Sequence, residues 1–297
     1  LDGKWENFDI KNIKLPVKLL GPISWTFNRE AKFSEHGLVL ETESGSYALK
    51  FAGMKEIRQP DQWFRMNKAQ NKDQWLEAMK MRAIISFNAV YADKEDNIML
   101  LHNTAGPIRN EAYDWKQPVD GTNSTLIWNE ITPFDEIPLL INPNSGWIVS
   151  ANQDPFRASS LKDNLKRSDF SKTLGIETKM TNRAYRVIEI FDNDKKFTEQ
   201  DLLDAKFDNE YSKESRSIKY LQNVLAQEYE DQEFQEAQAV LNAWDLKTDN
   251  DNRSAALGVC ILSEEWRAFM NRIDAPSSKE MFKKCIDELN DAFGRVD

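Results

Sequence analysis

Several residue types on which common enzyme classes depend are scarce in this chain of 297 residues. Histidine occurs at His36 and His102 alone, so a Ser-His-Asp triad would have to use one of the two. His36 lies in the polar turn Ser-Glu-His-Gly, and His102 ends a predicted strand. Both are interpreted as ordinary structural residues rather than catalytic ones.

Positive charge and long apolar runs are scarce as well. The 39 Lys and Arg stand against 49 Asp and Glu, which gives a formal net charge of −10. Nucleic acids and anionic membrane surfaces attract basic proteins, so neither a nucleic-acid partner nor a membrane partner is predicted. No apolar run approaches the roughly 18–20 residues that a membrane-spanning helix requires.

Cysteine is limited to Cys260 and Cys285, which fall on the apolar stripes of two predicted helices. An apolar environment disfavours the thiolate, so neither cysteine is predicted to be a nucleophile. They are interpreted as core thiols, with a disulfide between them left open. Two cysteines by themselves do not establish an oxidising compartment.

Near-alternation of apolar residues predicts strands in the first part of the chain. Residues 10–20 alternate, and residues 38–40 and 47–51 flank the hairpin signal Glu-Ser-Gly-Ser. A second hairpin is predicted from residues 84–92 and 98–101, which enclose a polar turn.

Helical periodicity prevails from about residue 181 onward. Thr198 with Asp201, and Ser277 with Glu280, have the spacing of helix-start capping boxes. The pattern predicts an α+β fold with a strand-rich first half and a helical second half. Two parts are expected, a β-rich part over 1–180 with a helical insertion near 60–82, and a helical part over 181–297.

A stretch rich in proline, residues 128–156, organises the middle of the chain. Its prolines predict extended and turning backbone, followed by a short buried strand at residues 147–149. The side-chain amides of Asn152 and Gln153 come directly after that strand. A neutral amide donor suits an oxyanion, although the pattern alone favours the interpretation that both amides satisfy loop backbone.

Five short segments occur in an order and spacing that resembles the penicillin acylase family, which also contains acyl-homoserine lactone and aculeacin acylases. They are Gly21-Pro22, Asn88 to Asp93, Trp128 to Pro138, Asn142 to Asn152 and Asn182 to Val187.

The resemblance implies part of an N-terminal nucleophile hydrolase, an αββα sandwich. The nucleophile of that family is a serine whose own α-amine is the base, exposed when a precursor cleaves itself. This chain begins with Leu1. It is therefore expected to be a fragment of the nucleophile-bearing beta subunit, inactive alone. The missing partners would be the N-terminal part of that subunit and the smaller alpha subunit.

The resemblance also implies roles for particular residues. Asn152 would donate its side-chain N–H to the oxyanion of the tetrahedral intermediate. Arg186 would lie beside Asn152 and the nucleophile's amine, and Arg183 is the alternative for that role because it is so near in sequence. Trp128 and Phe156 are the predicted substrate-binding residues.

The expected function is hydrolysis of the amide bond of a small N-acyl substrate, which releases the acyl group from an amine. The alternative is a binding or scaffolding module that keeps the fold without catalysis. No cofactor is predicted, with calcium an option in the full-length enzyme. Residues 249–252 are similar to a calcium loop but lack its later Gly and Glu, and residues 192–194 are interpreted as a turn. A periplasmic or secreted location is implied by the resemblance alone.

Overall fold

A computed structural model describes residues 1–193 and 195–297. Asp194, part of the turn predicted at 192–194, lies outside the described residues. The chain forms two compact units, residues 1–142 with 165–177, and residues 143–164 with 178–297.

The first unit contains a four-stranded antiparallel sheet in the order β1-β2-β3-β4. Its strands are β1 (Asp9–Leu20), β2 (Ile23–Ser34), β3 (Gly37–Thr42) and β4 (Gly45–Leu49). The strands and the hairpin predicted here are confirmed. Gly37 permits the tight β2–β3 connection, because its φ is +122° and a Cβ there would lie 2.3 Å from the carbonyl oxygen of Leu49.

Strands β1 and β2 form a long two-stranded ribbon with two unlike faces. Pairing continues from Asp9↔Phe33 to Leu20↔Ile23, whereas β3 pairs with β2 at Lys32 to Ser34. Directly opposed residues share a face, so one face carries apolar side chains, here called the apolar ribbon face: Ile13, Leu15, Val17, Trp25 and Phe27. All five are exposed.

A second antiparallel sheet of the first unit has the order β5-β6-β7. Its strands are β5 (Ser86–Ala92), β6 (Ile98–Thr104) and β7 (Leu139–Ile141), and they follow helices α1 (Gln59–Lys68) and α2 (Lys72–Met79). Met99, Leu100 and Leu101 of β6 are fully buried together with Met79 of α2. The hairpin predicted at 84–101 and the helices predicted near 60–82 are present.

The strand predicted at residues 147–149 is wrong, and a strand occurs instead at 139–141. Val149 is buried as predicted, but its N–H donates to the carbonyl oxygen of Ala158 in a local loop. The Gln153 side chain then donates to the Val149 carbonyl, so a side-chain hydrogen bond takes the place of the backbone hydrogen bonds of a paired strand.

The second unit is helical. Its helices are α3 (Asn182–Phe191), α4 (Glu199–Lys206), α5 (Arg216–Leu225), α6 (Gln232–Ala243), α7 (Ala255–Asn271) and α8 (Ser278–Phe293). The core joins α5 through α8 around the fully buried Phe282, whose ring lies 5.3 Å from that of Tyr229 and 5.6 Å from that of Phe234. In the described part of the chain, no helix has the length and apolar composition that crossing a membrane would take.

Residues 143–164 pack with the helices, which differs from a division of the chain at residue 180. The Trp147 ring lies 6.4 Å from the Phe191 ring of α3, and the loop side chain Asn152 contacts Arg183 of the same helix. These contacts attach the middle stretch to α3 although it comes earlier in the sequence.

One of the two predicted helix-start capping boxes is present. The capping box at Thr198 and Asp201 is confirmed, whereas the hydroxyl of Ser277 makes no capping hydrogen bond among the described residues.

Cys260 of α7 and Cys285 of α8 form a disulfide. Of the two alternatives left open for these cysteines, core thiols and a disulfide, the disulfide is the one present.

Candidate active site

The loop that carries Asn152 begins with a tight turn anchored at both ends. The Gly146 N–H donates to the carbonyl of Pro143 at 2.9 Å, with Gly146 at φ +74°. Asp163 accepts hydrogen bonds from the Ser145 N–H at 2.6 Å and from the Asn144 side chain at 3.1 Å. The bond from Ser145 lowers the pKa of Asp163, so the carboxylate stays ionised and holds the turn.

Gln153 fixes the backbone on either side of Asn152. Its Oε1 accepts from the Ala151 N–H at 2.5 Å. Its Nε2 donates to the carbonyl oxygens of Val149 at 2.9 Å and Arg157 at 3.1 Å. Gln153 is 3% exposed, so it acts as an internal brace of the loop. For this residue, the interpretation that the amide satisfies loop backbone is the one the structure supports.

Asn152 stands out from this braced loop. It is exposed and adopts a left-handed conformation with φ +66°, which Asn tolerates better than most residues. Its Oδ1 accepts a hydrogen bond of 2.5 Å from Nη2 of Arg183. A guanidinium has donors alone, so it settles the amide orientation with Oδ1 toward Arg183. The Nδ2 group is then left to donate elsewhere, and within the described residues it has no acceptor.

Arg183 is held by the first turn of α3. Thr181 caps that helix by accepting from the Ala184 N–H at 3.2 Å, which places Arg183 in the first turn facing the loop. Arg183 Nη2 also lies 3.5 Å from the carbonyl oxygen of Ala151. The loop and the helix start therefore form one hydrogen-bonded arrangement around the Asn152 amide.

Arg186 of the same helix is engaged by acidic side chains, and its predicted place beside Asn152 stays a prediction. Its Nε and Nη2 donate to the two carboxylate oxygens of Asp208 at 2.9 and 2.8 Å, and Nη2 also contacts Glu210 at 2.9 Å. Its Nη1 lies 3.7 Å from Glu189. The hydrogen bonds with Asp208 raise the pKa of Arg186 and lower that of Asp208. An arginine engaged by three carboxylates braces the helical unit.

The two predicted substrate-binding residues have different surroundings. Trp128, in the first unit, lines a cavity of about 920 Å³ and lies under the Lys50 ammonium, with Nζ 4.8 Å from the ring centre. Burial lowers the pKa of Lys50. Phe156, in the second unit, is buried at 8% exposure, and its N–H donates to Asp154.

Neither His102 nor the predicted calcium-like loop has the form of a reactive centre. His102 Nδ1 lies 2.8 Å from Oδ1 of Asn88, and burial lowers the pKa of His102 to about 4, so it is neutral at physiological pH.

In the loop at residues 249–252, Asp249 accepts a hydrogen bond from the Asn209 side chain at 2.6 Å, and the loop leads into α7. Among the described residues, three potential metal ligands converge at Cys260, Cys285 and Glu288, but both sulfurs are committed to the disulfide.

Comparison with known families identifies the chain. The model of the penicillin amidase family matches residues 1–293. The chain belongs to the penicillin amidase family. Its mixed α and β fold is that of an N-terminal nucleophile hydrolase, in agreement with the sequence prediction.

Known penicillin amidase relatives are considerably longer than the matched segments. Penicillin G acylase of Escherichia coli is 30% identical over 158 residues, which cover 52% of this chain and 18% of that protein. Acyl-homoserine lactone acylase QuiP of Pseudomonas fluorescens is 28% identical over 165 residues, which cover 51% of this chain and 19% of that protein. The structure of a thermostable penicillin G acylase from Alcaligenes faecalis superposes with a TM-score of 0.67 at 20% identity. That superposition covers 92% of this chain and 48% of that chain.

Proposed function

We propose that this chain is part of an amide-bond hydrolase that removes an acyl group from an amine. The observation that carries the proposal is the Asn152 amide, presented by a braced loop and oriented by Arg183, in a chain of the penicillin amidase family. The nucleophile is an N-terminal serine in a segment outside these 297 residues. The substrate is a small N-acyl compound.

The chemistry assigns one task to each group. The serine hydroxyl attacks the amide carbonyl and its proton passes to the serine's own α-amine, which acts as the base. The carbonyl oxygen becomes an oxyanion, and Asn152 Nδ2 donates a hydrogen bond to it. A backbone N–H from outside this chain is the second donor. Donors fixed before the reaction stabilise the transition state without reorganisation, which is why the loop bracing matters.

Arg183 takes the positioning role that the family resemblance implied for Arg186. A charged donor on Oδ1 polarises the amide, so the N–H bonds of Nδ2 become better donors. It also prevents the amide from rotating by 180°, which would point an acceptor at the oxyanion. The positive charge near the site lowers the pKa of a neighbouring amine, which favours its action as a base.

The acyl group is proposed to bind against apolar side chains. Trp128 is the better candidate because it lines a cavity of about 920 Å³, whereas Phe156 is buried and supports the Asn152 loop. The partners of the chain are the N-terminal part of the nucleophile-bearing subunit and a smaller alpha subunit. The matched segments, which cover 18% and 19% of the curated relatives, leave ample length for both.

A periplasmic or secreted location is proposed for the parent enzyme. The Cys260–Cys285 disulfide supports it, because disulfides form and persist in oxidising compartments and are rare where thiols are kept reduced.

Expression of the complete gene is expected to yield two chains, the larger beginning with Ser, Thr or Cys. Intact mass spectrometry with N-terminal sequencing measures this directly, because exposure of the α-amine by cleavage is what creates the base. A product that stays whole would count against the hydrolase, and the binding-module alternative would then lead.

Arg183→Ala in the complete enzyme is expected to lower kcat by about 10- to 100-fold with little change in KM, since a hydrogen bond from a charged group contributes about 1.5–3 kcal/mol. Arg183→Lys should recover part of the loss because it keeps the charge. Steady-state kinetics on an N-acyl substrate separates kcat from KM.

Arg186→Ala is the matched control, one helical turn away. It should leave kcat close to that of the parent while the urea midpoint falls, because the carboxylates of Asp208 and Glu210 lose their shared cation. A larger fall in kcat for Arg186→Ala than for Arg183→Ala would return the positioning role to Arg186.

A further inference from the structure

The apolar ribbon face is exposed to solvent although it has the composition of a sheet core. Trp25 is 61% exposed, and Ile13, Leu15, Val17 and Phe27 are 42–45% exposed. The β5–β6 hairpin, by contrast, buries Leu100 and Leu101 completely. Neighbouring large apolar side chains that are exposed together are typical of interaction sites.

The two faces of the ribbon are unlike because of the pairing register. Leu15 opposes Phe27 and Val17 opposes Trp25, which gathers large apolar side chains on one side. The alternate pairs Lys14↔Asn28, Lys18↔Ser24 and Asn12↔Glu30 place polar side chains on the other side. Such one-sided alternation is what a sheet shows when one face is covered by protein and the other meets water.

The ribbon also has open edges. Residues 23–31 of β2 pair with β1 alone, since β3 reaches β2 at Lys32 to Ser34, and β1 lies at the edge of the sheet. A two-stranded ribbon is marginally stable in water, and open edges are ready to pair with further strands. The apolar ribbon face could therefore be covered by further protein, and the open strand edges could pair with further strands.

We propose that the apolar ribbon face is the docking surface for another part of the parent acylase polypeptide, one that lies outside residues 1–297 and supplies strands and an apolar layer over β1 and β2. The inference rests on the proposed function, which requires such a part to bring the nucleophile. Length favours this occupant, because the match to the Alcaligenes faecalis structure covers 92% of this chain but 48% of that chain. A parent polypeptide that continues beyond the matched region would contain further residues that could cover the ribbon.

The test measures association between the 297-residue chain and the remainder of the parent polypeptide, expressed separately. The double variant Trp25→Glu/Phe27→Glu puts two charges on the apolar ribbon face and is expected to raise Kd about 30-fold or more. The control Thr26→Glu/Asn28→Glu makes the same charge change on the same strand but on the polar face. It should stay within about threefold of the parent Kd. Isothermal titration calorimetry gives both constants.

Hydrogen exchange on the unsubstituted chain keeps the test decisive if a variant does not fold. Amides of residues 9–31 should become protected when the remainder of the polypeptide is added. Equal binding by the two double variants, or no added protection, would overturn the proposal. Concentration-dependent dimers of the chain alone, abolished by Trp25→Glu/Phe27→Glu, would overturn it in favour of a second copy as occupant.

Association and hydrolysis are separate readouts. Asn152→Ala should associate like the parent chain while losing activity, because Asn152 is remote in sequence from the ribbon and contacts Arg183. Association without any acylase activity in the assembled protein would count against the proposed function and leave the docking surface standing.

Discussion

Asn152→Ala in the complete enzyme is expected to lower kcat by about 10²–10³, the usual cost of removing one oxyanion donor. The alanine keeps the backbone of the loop but has no N–H to offer. KM should change by less than about threefold, because the donor acts on charge that develops in the transition state. Steady-state kinetics on an N-acyl substrate measures both constants.

Asn152→Asp is the sharper companion variant. Aspartate tolerates the left-handed φ of +66° and its Oδ1 still accepts from Arg183, so the loop should fold unchanged. It carries no donor and adds negative charge beside the oxyanion, so its loss of kcat should equal or exceed that of the alanine. Turnover near the parent value in either variant would remove Asn152 from the oxyanion hole.

Phe282→Ala is expected to destabilise the helical unit by about 3–5 kcal/mol, the range for removing a fully buried phenylalanine. Phe282 has no solvent exposure and packs against the rings of Tyr229 and Phe234 in the core of α5 to α8. A cavity at that point costs more than the transfer of the ring because the surrounding helices relax only in part. Urea unfolding of the chain, followed by circular dichroism, measures the loss.

Phe293→Ala provides the matched control on the same helix. Its ring is 73% exposed, so the same chemical change should shift stability by less than about 0.5 kcal/mol. Equal effects of the two substitutions would mean that α8 does not pack as described.

The sequence revealed those elements whose local signals are strong. The β3–β4 and β5–β6 hairpins followed from alternation with polar turns, and the α4 start followed from Thr198 and Asp201. The strand at 139–141 was missed because three residues between prolines carry too little periodicity. The error at 147–149 arose because a buried apolar triplet can satisfy its backbone through side chains such as Gln153 as well as through a ladder.

The candidate site depended on information of two kinds. Asn152 could be selected as a candidate because its segment, Asn142 to Asn152, resembles the penicillin acylase family. The sequence could not show which of Arg183 and Arg186 contacts the Asn152 side chain, since both lie on α3 and tertiary packing sets the rotation of that helix toward the loop. The exposure of the apolar ribbon face could not be predicted either, because alternation predicts that a face is apolar and not whether other protein covers it.

The disulfide between α7 and α8 has a consequence for cleavage of the chain. The connection between the helices, residues 272–277, is exposed and is the kind of segment that proteases cut. Cys260 and Cys285 lie on either side of it, so one cut there would leave α8 covalently attached to the rest of the molecule. The core around Phe282 would keep all its helices, and the nick would become visible on an electrophoresis gel after reduction. A chain of this design can lose continuity in a surface loop without losing a part of its core.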